Sequence, residues 1–496
     1  MADTEIVGPA VKGHRRFFVL GPPVTLLMFS NALTGTVLTD LIVYRACLFS
    51  PNTNHTECSI LRTNASSSEA IDVEAQVEAH VSMIVLAKSL IESVLPAILS
   101  LFLGPWSDRA GRRPLFLSGF AGFTICYISL TFMCNWNMNP WYFLIPSLPA
   151  SALGGLSAVI IASMCHIADT SAEKDRTMLL AWLQASVYTG VLFGIFTGPL
   201  IFKTSGYTAV FSTAAICCML ALLYIYFFVQ ETVQDTSKES IRGLFKISSV
   251  QELVSSAVEK RDGFFRPVVW LAICILALSV MVLEGEVSIS FLFTRERLGW
   301  DVQRYSYFSG TAVLLSIPCM IVGVSLFSRI LDFPDSLITG IALTSCLGGA
   351  LTKAFATEGW HMYLSSFIGF FNGATGPVMR STISKSVPAK DIGEFHDFPV
   401  KLHHEIDKNI RLEKRLISRF LGKVFSLTSS LETLSPLAGA PLYTLIYSHY
   451  LPPIYPSPVF LLSASFFTLL LFLTLCLAVV NRNYRNVNFA PLVEEE

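Results

Sequence analysis

The sequence predicts an all-α membrane protein with twelve transmembrane helices in two six-helix pseudo-repeats. Three observations predict it. Hydrophobic residues fill 52% of the 496 positions and charged residues only 14%. A soluble domain carries about 25% charged residues, so an apolar solvent has depleted this chain of charge. The apolar residues gather into twelve runs, each near the ~20 residues that cross ~30 Å of hydrocarbon, and long unbroken runs exclude a barrel of ~10-residue alternating strands. Basic residues, finally, collect on one side of those runs.

In order, the runs cover about 19–43, 80–103, 115–133, 142–166, 179–201 and 208–230, then about 267–293, 306–328, 336–357, 361–386, 423–447 and 457–481. The first is too long for a signal-peptide core and lacks a small-residue cleavage site, so it reads as a retained helix. An even number puts both termini on one side. Lys and Arg divide roughly 24 to 6 in favour of that side. Lys12, Arg15, Arg16, Arg109, Arg112, Arg113, Lys174 and Arg176 fall on it, while Arg45, Arg62, Lys203, Arg295, Arg297 and Arg304 fall opposite. Both termini are therefore expected in the cytosol.

Residues 47–79 then form a polar external loop with N-glycosylation sequons at Asn54 and Asn64. A cytosolic linker at 231–266 separates a first bundle, 1–230, from a second, 267–496. Cys47, Cys58 and Cys134 lie near the outer face; a disulfide from Cys58 to either of the others is open. A net charge of −1 builds no basic domain for nucleic acid. No G-x-x-x-x-G-K-[ST] sequence occurs, and no acid–base or metal constellation converges at one depth, so neither an enzyme nor a metal or other cofactor is expected. The expected partners are the bilayer, a small organic solute and protons.

The hairpin between the second and third runs reads Gly104-Pro-Trp-Ser-Asp108-Arg109-Ala-Gly111-Arg112-Arg113. Gly104 and Gly111 permit a tight turn and close helix approach; Asp108 can cap a helix amino terminus and pair with Arg112 or another cytosolic arginine. The pattern G-x-x-x-D-x-x-G-R-R resembles the loop between helices 2 and 3 of the major facilitator superfamily. Further stretches match as well: Ala168-Asp-Thr-Ser171, Leu183-Gln-Ala-Ser186, Leu283-Glu-Gly-Glu286, Arg380-Ser381 and Lys423-Val-Phe-Ser426. Together they resemble the solute-carrier family that contains the proton-coupled folate transporter. The resemblance implies a twelve-helix carrier whose hairpin locks the cytosolic gate; a purely topological role for the hairpin is the plainer alternative. The second half repeats the hairpin only faintly, at Ser325 to Asp332. The family pattern is interrupted at 394–422, which reads either as a cytosolic insertion or as a gene-model artefact. Its Ile406, Ile410, Leu412, Leu416 and Ile417 could form an amphipathic interfacial helix.

Ionisable groups inside spans are costly unless paired, which makes them the candidate proton and substrate residues. Lys88 and Glu92, four apart, can neutralise one another. Asp40 lies near the outer end of the first run. Glu284 and Glu286, two apart, point about 200° from each other, so at most one faces a central cavity. Enclosed carboxyls are the chemical type suited to reversible protonation. Arg380 and Glu432 sit at similar depth, about 9 and 13 Å from the cytosolic ends of their helices, and can form a bridge between them; Arg380 is the candidate contact for an anion. Lys353 lies near an outer helix end and can snorkel. Gln184 stands where folate-type relatives carry an acid, and an amide cannot exchange a proton near neutral pH. Gly190, Gly194 and Gly198 form a smooth packing face. Gly369, Asn372, Gly373, Gly376 and Pro377 predict a bent helix that exposes backbone to a water-filled cavity.

The function expected is secondary transport of an organic, anionic solute with protons; a drug-export antiporter and a non-transporting sensor or scaffold are the rivals. Tyr484 to Val487 fits a tyrosine-based sorting signal, leaving plasma membrane and endolysosome both open.

Overall fold

The computed structural model describes residues 19–50, 58, 68–171, 173–233, 266–300, 302–386, 403–450 and 455–489. Among them every regular element is helical. In a bilayer this is the fold's first requirement, because lipid offers no hydrogen bonds and a helix satisfies its backbone internally.

Helix α1 (Gly21–Phe49) starts on Pro22-Pro23, where the missing amide hydrogens cost nothing. Helix α2 (Ser68–Ala110) begins well before the apolar run expected from about residue 80. The expected loop 47–79 is therefore shorter at both ends. Its last residues, rich in Ala, Glu and Gln, favour helix as strongly as the membrane portion does, and hydropathy cannot see them. One residue, Gly111, separates α2 from α3 (Arg112–Met133); its φ of 107° is open only to glycine at low cost.

The fourth run is broken rather than continuous. A 3-10 turn (Pro140–Leu144) and a short helix (Ser147–Ala152) precede α4 (Gly155–Thr170), because Pro146, Pro149 and the positive φ of Gly154 and Gly155 interrupt the hydrogen-bond ladder. The fifth and sixth runs are two arms of one long element, α5 (Glu173–Phe228), that reverse at Gly206, where φ is 76°.

The second half holds α6 (Arg266–Leu298), α7 (Val302–Pro318) with two π turns after it, α8 (Asp335–Ala354), α9 (Gly359–Ile368), α10 (Thr375–Lys385), α11 (His403–His449) and α12 (Pro458–Phe489). Between α9 and α10 lies a 3-10 turn (Phe370–Ala374), the bend expected from Gly369 to Pro377. Nine helices of the described residues are long and apolar enough to cross a membrane. With α5 counted as two passes, and α9–α10 and α11 as one each, the architecture is consistent with twelve. From the insertion, 394–402 lies outside the described residues, whereas 403–422 is helical and runs into α11 without a break.

Two covalent or steric features fix the first half. Cys47 and Cys58 form a disulfide, which leaves Cys134 a buried free thiol; Asn54 and Asn64 lie outside the described residues. Along α5, Gly190, Gly194 and Gly198 lie on the backbone of α1. A Cβ at Gly194 would stand 2.6 Å from the Phe29 carbonyl oxygen and one at Gly198 2.7 Å from that of Leu33. Backbone cannot yield as a side chain can. Gly194→Ala should accordingly cost roughly 1–3 kcal/mol through overpacking, read as a lowered melting temperature of the detergent-solubilised protein; an unchanged melting curve would show that the two helices have slack.

Candidate functional site

The hairpin is a buried electrostatic node. Arg112 is 1% exposed and Asp108 5%, so their charges stand only because they are paired. Arg112 Nη2 lies 2.6 Å from Asp108 Oδ1, and its Nε lies 3.3 Å from Asp169 Oδ2 on the last turn of α4. Arg112 Nη1 donates to Ser107 Oγ at 2.5 Å. Two expectations need correction. Asp108 does not cap α3: it sits on the last turn of α2, turned toward Arg112 four residues on. The cap is Glu231, which arrives from beyond α5 and accepts the backbone N–H groups of Arg112 at 2.8 Å and Arg113 at 3.0 Å. Gly104 likewise lies inside α2 rather than in the turn, which Gly111 makes alone. Arg113 donates to the Tyr226 carbonyl and stacks over that ring at 5.1 Å. The signal for Glu231 was an acid directly after the sixth apolar run, at Gln230-Glu231-Thr232.

A second cluster joins the halves deeper in the bundle. Arg380 Nη2 lies 2.8 Å from Glu432 Oε2, and Arg380 Nη1 donates to Gln184 Oε1 at 3.4 Å. Three helices, α5, α10 and α11, thus meet at one guanidinium. Their side chains are largely buried, yet Arg380 Nε and Glu432 Oε1 have no protein partner among the described residues. The group retains unused hydrogen-bonding capacity in a low-dielectric setting, where a ligand or a proton would be felt strongly. Tyr188, one turn along α5, is close to Gln184 and Arg380. Beside it, Ser157 and Thr433 hydrogen-bond across the halves at 2.8 Å, and Ser100 does so with Ser430.

The structure separates the two glutamates of α6. Glu286 turns inward, 6% exposed, and meets Lys353 Nζ at 2.6 Å. Lys353 does not reach outward as expected from its place near a helix end: its ammonium lies 5.8 Å from the Phe460 ring centroid and serves as counter-charge to the buried acid. Glu284 faces the other way, is exposed, and has no ion-pair or hydrogen-bond partner among the described residues.

Other candidates stay apart from the central group. Lys88 and Glu92 pair with each other along α2 at 2.7 Å. Asp40 accepts from the Tyr207 hydroxyl at 2.6 Å near the far end of α1, on a helix that also exposes Asn31, Thr36 and Thr39. Such a polar, exposed stripe fits water better than lipid. Asn372 lies in the α9–α10 bend, with Cys346 Sγ 3.5 Å from its Oδ1. Among the described residues, no group of three or more His, Cys, Asp or Glu could hold a metal ion.

The model of the Major Facilitator Superfamily matches residues 74–395. This chain belongs to that superfamily. It is 25% identical over 446 residues to a protein named probable peptidoglycan muropeptide transporter SLC46 from Drosophila melanogaster, covering 88% of this chain and 80% of that one. It is 26% identical over 378 residues to the proton-coupled folate transporter of Bos taurus, covering 75% and 79%. Similarity also extends to the lysosomal proton-coupled steroid conjugate and bile acid symporter SLC46A3 of Gallus gallus, at 24% over 401 residues, 76% of this chain and 82% of that one. Among solved structures, the human organic anion transporter MFSD10 superposes with a TM-score of 0.68 at 15% identity, covering 93% of this chain and all of that one; the proton:xylose symporter XylE reaches 0.61 at 14% identity, covering 92% and 94%. The chain is a multi-pass membrane protein of transporter fold and not an enzyme.

Glu286→Gln leaves Lys353 charged without its partner in the bundle interior, and should destabilise the protein by about 3–5 kcal/mol. Adding Lys353→Met should restore most of that in a thermal melt. Equal damage from the single and the double variant would mean that the pair is not a matched counter-charge.

Proposed function

We propose that this protein is a secondary carrier that moves an organic anion together with protons by alternating access. The observation that carries the reading is the Arg380–Glu432 pair, tied to Gln184 across the two halves. A carrier needs a charged group that binds in one state and releases in another. Here Arg380 is the anion contact and Glu432 its competitor. A proton on Glu432 weakens the bridge and frees Arg380 for the solute; loss of the proton restores the bridge and favours release. Glu284, exposed and unpaired, is a second group suited to carry a proton.

The position of Gln184 weighs against a simple copy of the folate mechanism, so proton exchange falls to Glu432 and Glu284. The relatives are named as transporters of folate, of steroid conjugates and bile acids, and, as a probable one, of muropeptides, and carboxylate- or phosphate-bearing solutes of that size form the substrate class. The hairpin side is assigned to the cytosol on the excess of Lys and Arg there, with Asp108 part of its gate. Plasma membrane and endolysosome both suit a carrier driven by a proton gradient.

The test is uptake into liposomes, with and without an inward proton gradient, of a folate, a muropeptide and a cyclic dinucleotide. Arg380→Gln should lower uptake of the carried solute more than tenfold. Glu432→Gln should keep solute binding while removing the dependence on entry-side pH; a variant with unchanged uptake and pH profile would sink this role for Glu432. Asp108→Asn should slow transport at normal surface expression, and full transport would reduce the hairpin to topology. Proton flux with no member of a broad solute panel would favour a sensor, and efflux of lipophilic cations an antiporter.

A further inference from the structure

Lys88 and Glu92 stand in the middle of the second apolar run, and their ion pair lies along one helix. Two charges kept inside a span without tying helices together call for another reason. Their place on α2 supplies it. At 100° per residue, Val81 and Ile84 on the side away from the hairpin, and Leu99 and Leu103 on the side toward it, fall within about 60° of Lys88. All four are buried. Glu92 lies on this same packed face. The exposed Met83, Leu86 and Leu90 lie at least about 140° away, turned to lipid. Yet the Lys88 and Glu92 side chains keep 27% and 41% of their surface. The face that packs above and below them therefore opens between into a recess within the first half.

Helices α1 and α3 complete the recess. Lys88 and Glu92 lie close to Cys126 of α3, Glu92 also to Tyr127, and Tyr127 to Thr34 of α1. Cys126, Tyr127 and Thr34 are buried and form its floor. Next to Thr34, Gly35 is exposed, and a Cβ there would meet nothing within 4 Å. Asn31 and Thr39, one turn to either side of Gly35 on the same face of α1, are exposed as well. The walls thus carry an amide, a hydroxyl and one charge of each sign, with open space beside α1.

We propose that this recess is a binding subsite for a zwitterionic α-amino-carboxylate group. A simple anion drawn to Lys88 Nζ meets Glu92 Oε2 only 2.7 Å from it, and a simple cation meets the reverse. A group whose ammonium and carboxylate stand side by side lies head to tail on the pair. It makes two charge-assisted contacts and leaves no net charge in the bundle. For its purpose the proposal rests on the carrier reading: to the anion contact at Arg380 it adds a second contact in the other half. Ser100 of α2 meets Ser430 of α11. Counted from there at 1.5 Å per residue, Glu92 stands about 9 Å farther from the hairpin than Glu432. The solute class so defined carries an amino-carboxylate end at least about 9 Å from an anionic group.

Thiol labelling of the full-length protein in lipid nanodiscs tests the recess without a transported solute. Gly35→Cys places a reporter in the open space, and the unsubstituted protein gives the background from the native thiols. Three probes share one alkyl chain: norleucine carries both charges, hexanoate only the carboxylate, pentylamine only the ammonium. Norleucine at twice its dissociation constant should slow maleimide labelling of Gly35→Cys about threefold. Hexanoate and pentylamine at the same concentration should leave the rate unchanged. Glu92→Gln and Lys88→Met should each abolish the protection while labelling itself persists. Exchanging the pair, Lys88→Glu with Glu92→Lys, should restore it, because a zwitterion can lie on either polarity. Equal protection by hexanoate or by pentylamine reduces the recess to a single-charge site and overturns the zwitterionic assignment. No protection by norleucine up to its solubility limit, or protection that survives both single variants, overturns the subsite. If norleucine protects as expected while no solute in the uptake panel is carried, the subsite stands and the carrier reading falls.

Discussion

An ionised group inside lipid has no water to solvate it, and that constraint orders most of what is polar in this molecule. Among the described residues the buried or half-buried ion pairs are Arg112 with Asp108 and Asp169, Lys353 with Glu286, Arg380 with Glu432, and Lys385 with Asp335; Arg45, also buried, is held instead by Asn137 and the Cys134 carbonyl. Each pair had to bring two helices, or two turns of one helix, to a set distance. The helices are held by apolar packing, but their relative placement is specified by where acids and bases must meet.

The pairs differ in what they join. Lys88–Glu92 lies along one helix and asks nothing of the fold. Arg112–Asp169 and Glu286–Lys353 each tie helices of one half and make that half rigid. Arg380, through Gln184, and Lys385, through Thr177, reach the other half. Under the alternating access proposed above, the last class must be undone, and its members are bridged by neutral amide or hydroxyl groups rather than by a second full charge. That choice keeps the joint firm yet breakable, because a neutral partner leaves no stranded charge behind when it departs.

Much of this was legible in the chain. Apolar run length located the spans, and the hairpin's own residues marked the turn at Gly111. The bend between α9 and α10 could be read from its glycines and proline, and the spacing of Glu284 and Glu286 showed that they must face apart. Other features were hidden for physical reasons. A helix that starts ahead of its apolar run, as α2 does at Ser68, loses its hydropathy signal there but not its hydrogen bonds. Lys353 looks like a snorkelling lysine until Glu286 is seen across the bundle. Glu231 is far in sequence from the amides it caps. Partnership is a property of three dimensions, and a lone sequence lists only the eligible residues.

The glycine face between α1 and α5 has a mechanical consequence. Over three successive turns Gly190, Gly194 and Gly198 bring the backbone of α5 against that of α1, with only the Cβ atoms of Met28 and Ala32 beside it. A seam this close resists rolling, since rotation would drive a bulkier neighbour into it. The contact thus favours a first half in which α1 and α5 shift together rather than past one another.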